Sequence, residues 1–188
     1  LTANKAAEYL KRRARDDTPF YMGVHFNAPH WPWEDRDDET ESERLMNPAT
    51  WGGGRALFHL DGGSLDKYAE MVRIMDENIG RILRELKRSG KAEDTLVVFM
   101  SDNGGERFSY MWPFSGRKSG LQEGGIRTPT IVRWPRQVRP GTVSDQVTVT
   151  MDVTASILAA AGATPDEELD GRDVLDVLGG DRRPFQRK

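Results

Sequence analysis

The sequence predicts an α/β fold, in which helices alternate with the strands of one sheet. An apolar stripe with helical spacing covers residues 65–86, and an almost wholly apolar run follows it at residues 95–100. A short apolar run of this kind is typical of a strand whose two faces are both covered. A second run, residues 130–134, lies between Pro129 and Pro135. Helices and strands therefore alternate along the chain, which favours a layered α/β architecture.

The chain begins with a predicted amphipathic helix over residues 1–15, where small and apolar residues recur among lysines and arginines. Thr18-Pro19 ends this helix. Residues 20–26 are rich in aromatic and branched side chains, and they predict a strand that runs into a loop. Residues 34–63 are acidic and then rich in tryptophan and glycine, which predicts a long surface loop.

The longest predicted helix has clear signals at both ends. Ser64 can cap its amino end, and Lys87 and Arg88 suit the partial negative charge at its carboxyl end. Gly90 suits the position just beyond the last turn. A shorter helix is predicted for residues 152–161, and it ends at Gly162.

Length and composition exclude several classes of protein. A chain of 188 residues suits one domain with its own core. Its 27 basic and 30 acidic residues are interspersed and sum to a net charge of −3, so no basic field is available for a nucleic acid. Disulfides and thiolate metal sites are excluded because the chain contains no cysteine. No apolar stretch approaches the ~20 residues of a membrane helix, so no membrane span is predicted.

Asp102 and Asn103 directly follow the predicted strand of residues 95–100. Ligands of open α/β sheets bind beyond the carboxyl ends of the strands, where this pair lies. A carboxylate and an amide oxygen are hard ligands that suit calcium or magnesium. The sequence Asp-Asn-Gly is also favoured in simple turns, and its spacing alone leaves both interpretations open.

His30 follows the predicted strand of residues 20–26 and has a proline on either side, in Pro29-His30-Trp31-Pro32. An imidazole fixed at that point can donate to an anionic ligand or protonate a leaving group. The alternative is a histidine that packs against Trp31 or Trp33.

Lys118 lies in the glycine-flanked loop of residues 115–120, beside Arg117. Small neighbours let a backbone amide and an ammonium group approach an oxyanion closely, which suits phosphate or sulfate. The glycine spacing of a P-loop is missing. A solvated basic loop is the alternative interpretation.

In their order and spacing these segments resemble the type I sulfatases of the alkaline phosphatase superfamily. The resemblance rests on Ala28-Pro29-His30-Trp31-Pro32, Ser101-Asp102-Asn103-Gly104-Gly105, Gly116-Arg117-Lys118, Glu123-Gly124-Gly125-Ile126-Arg127-Thr128-Pro129 and Trp134-Pro135, together with residues 68–80 and 151–162. It implies an alkaline-phosphatase-like sandwich, in which helices flank a central mixed, mostly parallel sheet.

The resemblance also implies roles for four residues. Asp102 and Asn103 match the second pair of calcium ligands of the family, with magnesium as the less favoured ion. Lys118 matches the lysine that contacts the sulfate group and the bridging oxygen. His30 matches the histidine placed near the leaving-group oxygen, so His30 and Lys118 are the candidate catalytic and substrate-binding residues.

Two parts of the family's active site have no match in this sequence. The family attacks with a formylglycine made within a Cys/Ser-x-Pro-x-Arg motif, and no residue here begins such a motif. Neither Asp16-Asp17 nor Asp37-Asp38 stands where the family has its first pair of metal ligands. We therefore expect residues 1–188 to be a partial catalytic domain, with the formylglycine upstream and the carboxyl-terminal subdomain outside this chain.

The function implied is hydrolysis of a sulfate monoester of a small molecule or carbohydrate by the parent enzyme, with this chain inactive alone. A phosphate or phosphonate ester hydrolase of the same superfamily and a non-catalytic remnant are the alternatives. A periplasmic or secreted protein is expected, since many bacterial members of the family are exported. Neither the particular ester nor the oligomeric state is indicated by the sequence.

Overall fold

The computed structural model describes residues 2–36, 38, 43–44, 47, 49, 62–180 and 184–186. The chain divides into two units, of which the first comprises Leu1–Gly90 with Asp102–Thr128 and the second comprises Lys91–Ser101 with Pro129–Lys188. All four candidate site residues belong to the first unit. Most of the predicted surface loop of residues 34–63, including Asp37, lies outside the described residues.

The core of the first unit forms where helix α1, Thr2–Arg13, packs against helix α2, Leu65–Arg88. From α1, the side chain of Leu10 is 1% exposed, and three alanines of the same face are also buried. Met71 and Leu86 are buried on α2. Alanines let the two backbones approach closely, and burial of a leucine side chain contributes about 2 kcal/mol.

Both ends of α2 form as the sequence predicts. The side-chain oxygen of Ser64 accepts a hydrogen bond of 3.1 Å from the backbone N–H of Lys67. Gly90 has φ = +76°, and its N–H donates to the carbonyl of Lys87. This left-handed conformation favours glycine and satisfies one carbonyl of the last turn.

Residues 20–26 are not assigned to a strand, which corrects the sequence prediction. Their side chains nevertheless alternate between half-buried and exposed from Phe20 to Phe26. This period of two is that of extended chain with one packed face. A strand assignment also requires a hydrogen-bonded partner strand, and side-chain patterns in the sequence do not report on that partner.

The sheet of the second unit consists of β1, Val97–Met100, and β2, Thr130–Arg133, among the residues described. The strands are antiparallel, with Val98 opposite Val132 and Phe99 opposite Ile131. The two predicted strands are therefore present. The expected sheet is mostly parallel, but this pair of strands is antiparallel. The chain between them contains the four-residue helix α3, Glu123–Ile126, and not the long helical crossover that parallel neighbours use. All residues of β1 are only half-buried.

Helix α4, Thr150–Ala160, is tied to the segment that leads into the short helix α5, Leu175–Leu178. The carboxylate of Asp152 is fully buried and accepts from the N–H of Val149 and from the N–H of Arg172, each at 2.9 Å. Asp152 therefore lies in the helix predicted for residues 152–161, and its contacts are structural. In the described part of the chain, no helix has the length and apolar character that crossing a bilayer requires.

Candidate functional site

Glycine-rich segments of the first unit meet around Lys118. The N–H of Gly104 donates to the carbonyl of Gly125, and the N–H of Lys118 donates to that of Gly105, both at 2.8 Å. A Cβ atom on Gly104 would lie 2.0 Å from the carbonyl oxygen of Gly124. Because no side chain fits at this approach, glycine is what allows the segment after β1 to lie against the loop that carries Lys118.

The structure brings together two of the predicted site residues, His30 and Lys118. The Nζ atom of Lys118 lies 2.8 Å from Nε2 of His30. An ammonium group has no acceptor, so Lys118 donates and Nε2 of His30 accepts. The proton of the neutral ring then resides on Nδ1, which donates to the carbonyl of Trp31 at 2.5 Å. Both contacts are satisfied by the same tautomer.

Glu106 is a third member of this cluster that the sequence analysis did not identify. Its Oε2 atom lies 3.6 Å from Nζ of Lys118, and the two side chains are 26% and 22% exposed. Partial burial of the pair reduces solvent screening of the attraction between the charges. Glu106 is one of 30 acidic residues, and only its position directly after Gly104-Gly105 could have singled it out.

The residues that follow Glu106 pack on the segment that follows His30. Trp33 is 3% exposed, and its ring meets the edge of Phe108 at a centroid distance of 4.9 Å. The guanidinium of Arg107 lies over both rings, 5.1 Å and 4.5 Å from their centroids. Trp33, which the alternative interpretation of His30 named as a packing partner, contacts the loop after Asn103. Such aromatic and cation–π contacts hold the two sides of the site together.

An ion-pair cluster ties the same His30 segment to the beginning of α2. Nζ of Lys67 lies 2.6 Å from a carboxylate oxygen of Asp35 and also contacts the carboxylate of Asp38. Hydrogen bonds to these carboxylates raise the pKa of Lys67 above its ordinary value. The cluster therefore helps to fix the chain a few residues beyond His30.

Asp102 and Asn103 lie three and two residues before Gly105, the glycine whose carbonyl binds the Lys118 amide. Asp102 is exposed, and the half-buried Asn103 donates from Nδ2 to the carbonyl of Gly104 at 2.9 Å. The amide oxygen of Asn103 and the carboxylate oxygens of Asp102 are the candidate ligand atoms. These oxygens fit calcium or magnesium, but calcium takes ~6–8 ligands. Among the described residues, no group of three or more His, Asp or Glu could hold a metal ion.

A groove of about 380 Å³ lies between α1 and α2. Basic and acidic side chains both line it: Asn4, Ala7, Glu8, Lys11, Arg81, Arg84, Glu85 and Arg88. Because Glu85 already binds Arg88, the groove is not a single basic field. Neither His30 nor Lys118 contributes to it.

The sequence matches a known protein family and individual members of it. The family model of the sulfatases matches residues 1–163. Mouse steryl-sulfatase is 40% identical over 192 residues, an alignment that covers 95% of this chain and 27% of the mouse protein. Human N-acetylgalactosamine-6-sulfatase is 32% identical over 182 residues, with 93% of this chain and 31% of the human protein covered.

Solved structures are similar over nearly the whole chain as well. The crystal structure of Ps i-CgsB superimposes with a TM-score of 0.79 at 27% identity and covers 97% of this chain and 38% of that one. Its complex with k-i-k-neocarrahexaose gives a TM-score of 0.77. The present chain thus spans about a third of the length of the proteins it matches.

Proposed function

The chain belongs to the sulfatase family, and on this premise we propose that it is part of the catalytic domain of a sulfuric ester hydrolase. The observation that carries the proposal is the 2.8 Å contact between Lys118 and His30. A cation and an imidazole at one point can hold an anionic ester and assist its leaving group. Their sequence positions are those at which the family has its sulfate-binding lysine and its leaving-group histidine.

In the proposed reaction, Lys118 binds the sulfuryl oxygens and offsets the charge that develops on the bridging oxygen as the S–O bond breaks. Glu106 and His30 hold the ammonium group from two sides. His30 places its neutral ring beside the same bridging oxygen with the Nε2 lone pair on Lys118, so the leaving alkoxide takes its proton from Nζ of Lys118, which is left as a neutral amine. Lys118 is therefore the proton donor, and His30 orients it.

Asp102 and Asn103 would hold a calcium ion, with the remaining ligands supplied from outside this chain. The ion would offset charge on the sulfuryl oxygens. We place the nucleophile, a formylglycine, in a part of the parent protein upstream of residue 1. The assignment of calcium to Asp102 and Asn103 is supported by their donor atoms, because both residues offer hard oxygen ligands. Magnesium is the less favoured ion.

We also propose that the two units belong to an alkaline-phosphatase-like sandwich with a mixed, mostly parallel sheet. The period-two burial of residues 20–26 supports a further strand there in the parent protein. Export to the periplasm or outside the cell is proposed on family membership alone, and fractionation of the producing cells tests it.

The names of the relatives point to two kinds of ester. Steryl-sulfatase indicates an apolar alcohol, whereas N-acetylgalactosamine-6-sulfatase and the complex with k-i-k-neocarrahexaose indicate sulfated sugars. We propose a sulfated carbohydrate or small molecule as the substrate of the parent enzyme.

The test is hydrolysis of 4-nitrophenyl sulfate and 4-nitrophenyl phosphate by the full-length protein, with calcium and after chelation. Sulfate hydrolysis that requires the metal and exceeds phosphate hydrolysis is expected. A preference for the phosphate ester would instead assign the protein to the phosphate or phosphonate hydrolases. No turnover of either ester by a folded, metal-loaded protein would identify a non-catalytic remnant.

A further inference from the structure

Glu106 contacts the ammonium group on which the proposed reaction depends. Its Oε2 atom lies 3.6 Å from Nζ of Lys118. Nε2 of His30 accepts a hydrogen bond of 2.8 Å from the same Nζ atom. An ammonium group has three N–H donors, which suffice for these two contacts and for an oxyanion. The carboxylate is therefore a second fixed point for Nζ that leaves room for a ligand.

A tight turn fixes the backbone of Glu106. The N–H of Ser109 donates to the carbonyl of Glu106 at 3.0 Å, and the N–H of Glu106 donates to Oγ of Ser109 at 3.2 Å. Oγ of Ser109 also forms a hydrogen bond of 2.9 Å with the hydroxyl of Tyr68 on α2. Both backbone hydrogen-bonding groups of Glu106 are thus bound within the turn, and the turn is bound to a long helix.

The backbone of Phe108 shows that the surrounding structure holds this turn. Its φ is +70°, in the left-handed region that a bulky side chain rarely adopts. Such a conformation persists only where neighbouring groups fix it. The ring of Phe108 packs on Trp33 at 4.9 Å, and Arg107 donates to the carbonyl of Gly62 at 3.1 Å. The strained residue lies two positions after the carboxylate that contacts Lys118.

Gly105 sets the spacing between Glu106 and Lys118. Its carbonyl accepts from the N–H of Lys118 at 2.8 Å, and Glu106 is the next residue. A Cβ atom on Gly105 would lie 2.3 Å from the sulfur of Met111 and 2.5 Å from Cβ of Ser109. Because the backbones of both charged residues are tied to one glycine, the fold itself brings the carboxylate to the ammonium group.

We propose that Glu106 is a positioning residue for Lys118, and that its carboxylate holds the ammonium group against His30 in the arrangement that the sulfuryl group requires. The inference rests on the proposed function. Glu106 touches no reacting atom, because a carboxylate repels a sulfate anion. It acts through Lys118, whose long and flexible side chain would otherwise distribute Nζ among several rotamers.

The charge of Glu106 has opposite effects on binding and on rate. A negative charge beside Lys118 weakens the attraction between the ammonium group and a sulfate anion, so it lowers affinity. The same charge keeps Nζ in place, and misplacement of a catalytic group by about 1 Å can lower a rate by about 100-fold. A residue that only stabilised the fold would not separate kcat from KM in this way.

The experiment is steady-state hydrolysis of 4-nitrophenyl sulfate by the full-length protein in the presence of calcium. Glu106→Gln keeps the shape of the side chain and removes its charge, so kcat should fall by about 10-fold while KM stays the same or falls. Glu106→Asp retains the charge and should recover part of the lost kcat. Glu70→Gln is the matched control, because it removes a carboxylate that binds Arg73 on α2 at 2.7 Å, and it should change neither constant.

A double-mutant cycle tests whether Glu106 acts through Lys118. In the Lys118→Ala background the group to be positioned is gone, so Glu106→Gln should cause no further loss of kcat. A full additional loss in the double variant would assign Glu106 a role in folding alone and overturn the proposal. The calcium concentration for half-maximal rate should be equal in Glu106→Gln and the wild type, and a higher value would make Glu106 a metal ligand instead.

Failure of the proposed function gives a different result from failure of the positioning role. If Lys118→Ala retains the wild-type kcat, the anion site itself is wrong. Should Lys118→Ala lose activity while Glu106→Gln keeps the wild-type kcat, with thermal melts showing both variants folded, only the positioning role is wrong. A raised KM with unchanged kcat in Glu106→Gln also overturns it, since Glu106 would then act on substrate binding alone.

Discussion

Lys118 donates a hydrogen bond of 2.8 Å to Nε2 of His30, a residue 88 positions earlier in the chain. The contact combines a fixed positive charge with a neutral ring whose tautomer it determines. Since Nδ1 of the ring is bound to the carbonyl of Trp31, the imidazole cannot rotate without loss of both hydrogen bonds. Both side chains are thereby held in one arrangement.

The first prediction concerns that tautomer. At about pH 8, where an ordinary imidazole is neutral, ¹⁵N NMR should find the proton of His30 on Nδ1 and Nε2 without one. The exposed ring of His25 should show the usual mixture, in which Nε2–H is well populated. In Lys118→Met, His30 should move toward that mixture. Predominant Nε2–H in the wild type would contradict the assigned donor and acceptor.

The second prediction concerns turnover by the full-length protein. Lys118→Ala should lower the kcat for 4-nitrophenyl sulfate by roughly 100-fold or more, the usual effect of losing one preorganised electrostatic contact. Lys87→Ala, at an exposed position in the last turn of α2, is the matched control and should retain the native rate. Equal rates for the two variants, with folding verified by thermal melts, would remove Lys118 from the active site.

The sequence was most informative where local signals decide the structure. Ser64 and Gly90 mark the two ends of α2, because an N-cap and a left-handed backbone conformation depend on the residue at that position itself. The sequence did not predict correctly whether residues 20–26 form a strand or in which direction β1 pairs. Both depend on partner strands that are distant in the chain. Glu106 had no local signal beyond its position after Gly104-Gly105, because its contact arises from the folding of the loop against Lys118.

The third prediction is that the 188-residue chain binds calcium weakly, at millimolar concentration or above. Asp102 and Asn103 leave most of the ~6–8 positions around the ion to water. Isothermal titration should therefore give a weak isotherm that Asp102→Ala abolishes, while Asp76→Ala, at an exposed position of α2, leaves it intact. Micromolar affinity would reveal ligands that the assignment lacks.

The fourth prediction addresses the cluster of Lys67 with Asp35 and Asp38. Lys67→Met should speed amide hydrogen exchange at residues 34–36, because the chain after His30 loses its tie to α2. The pKa of Lys67 is raised by folding, so its stabilising contribution is complete below the ordinary lysine value of about 10.4 and is lost only as the pH rises through the higher value. The difference between variant and wild type should hence be constant from about pH 6 to 9.

Lys5→Met, at an exposed position of α1, provides the comparison for Lys67→Met and should leave exchange at residues 34–36 unaltered. A pH-dependent difference within the neutral range would show that some other titrating group holds the segment.

The last prediction compares two glycine substitutions with opposite expected signs. Gly104→Ala places a methyl group 2.0 Å from the carbonyl oxygen of Gly124, so the segment that carries Asn103 must move away from the Lys118 loop. Overpacking of this kind costs about 1–3 kcal/mol or more of unfolding free energy. Gly80→Ala, inside α2, meets only the flexible guanidinium of Arg84 at 3.2 Å, and it should stabilise by about 0.5–1 kcal/mol. Urea unfolding measures both changes, and NMR shifts of Lys118 and Asn103 should respond to Gly104→Ala alone. If Gly104→Ala is as stable as the wild type and leaves those shifts unchanged, the close approach of the two segments is not what positions the site.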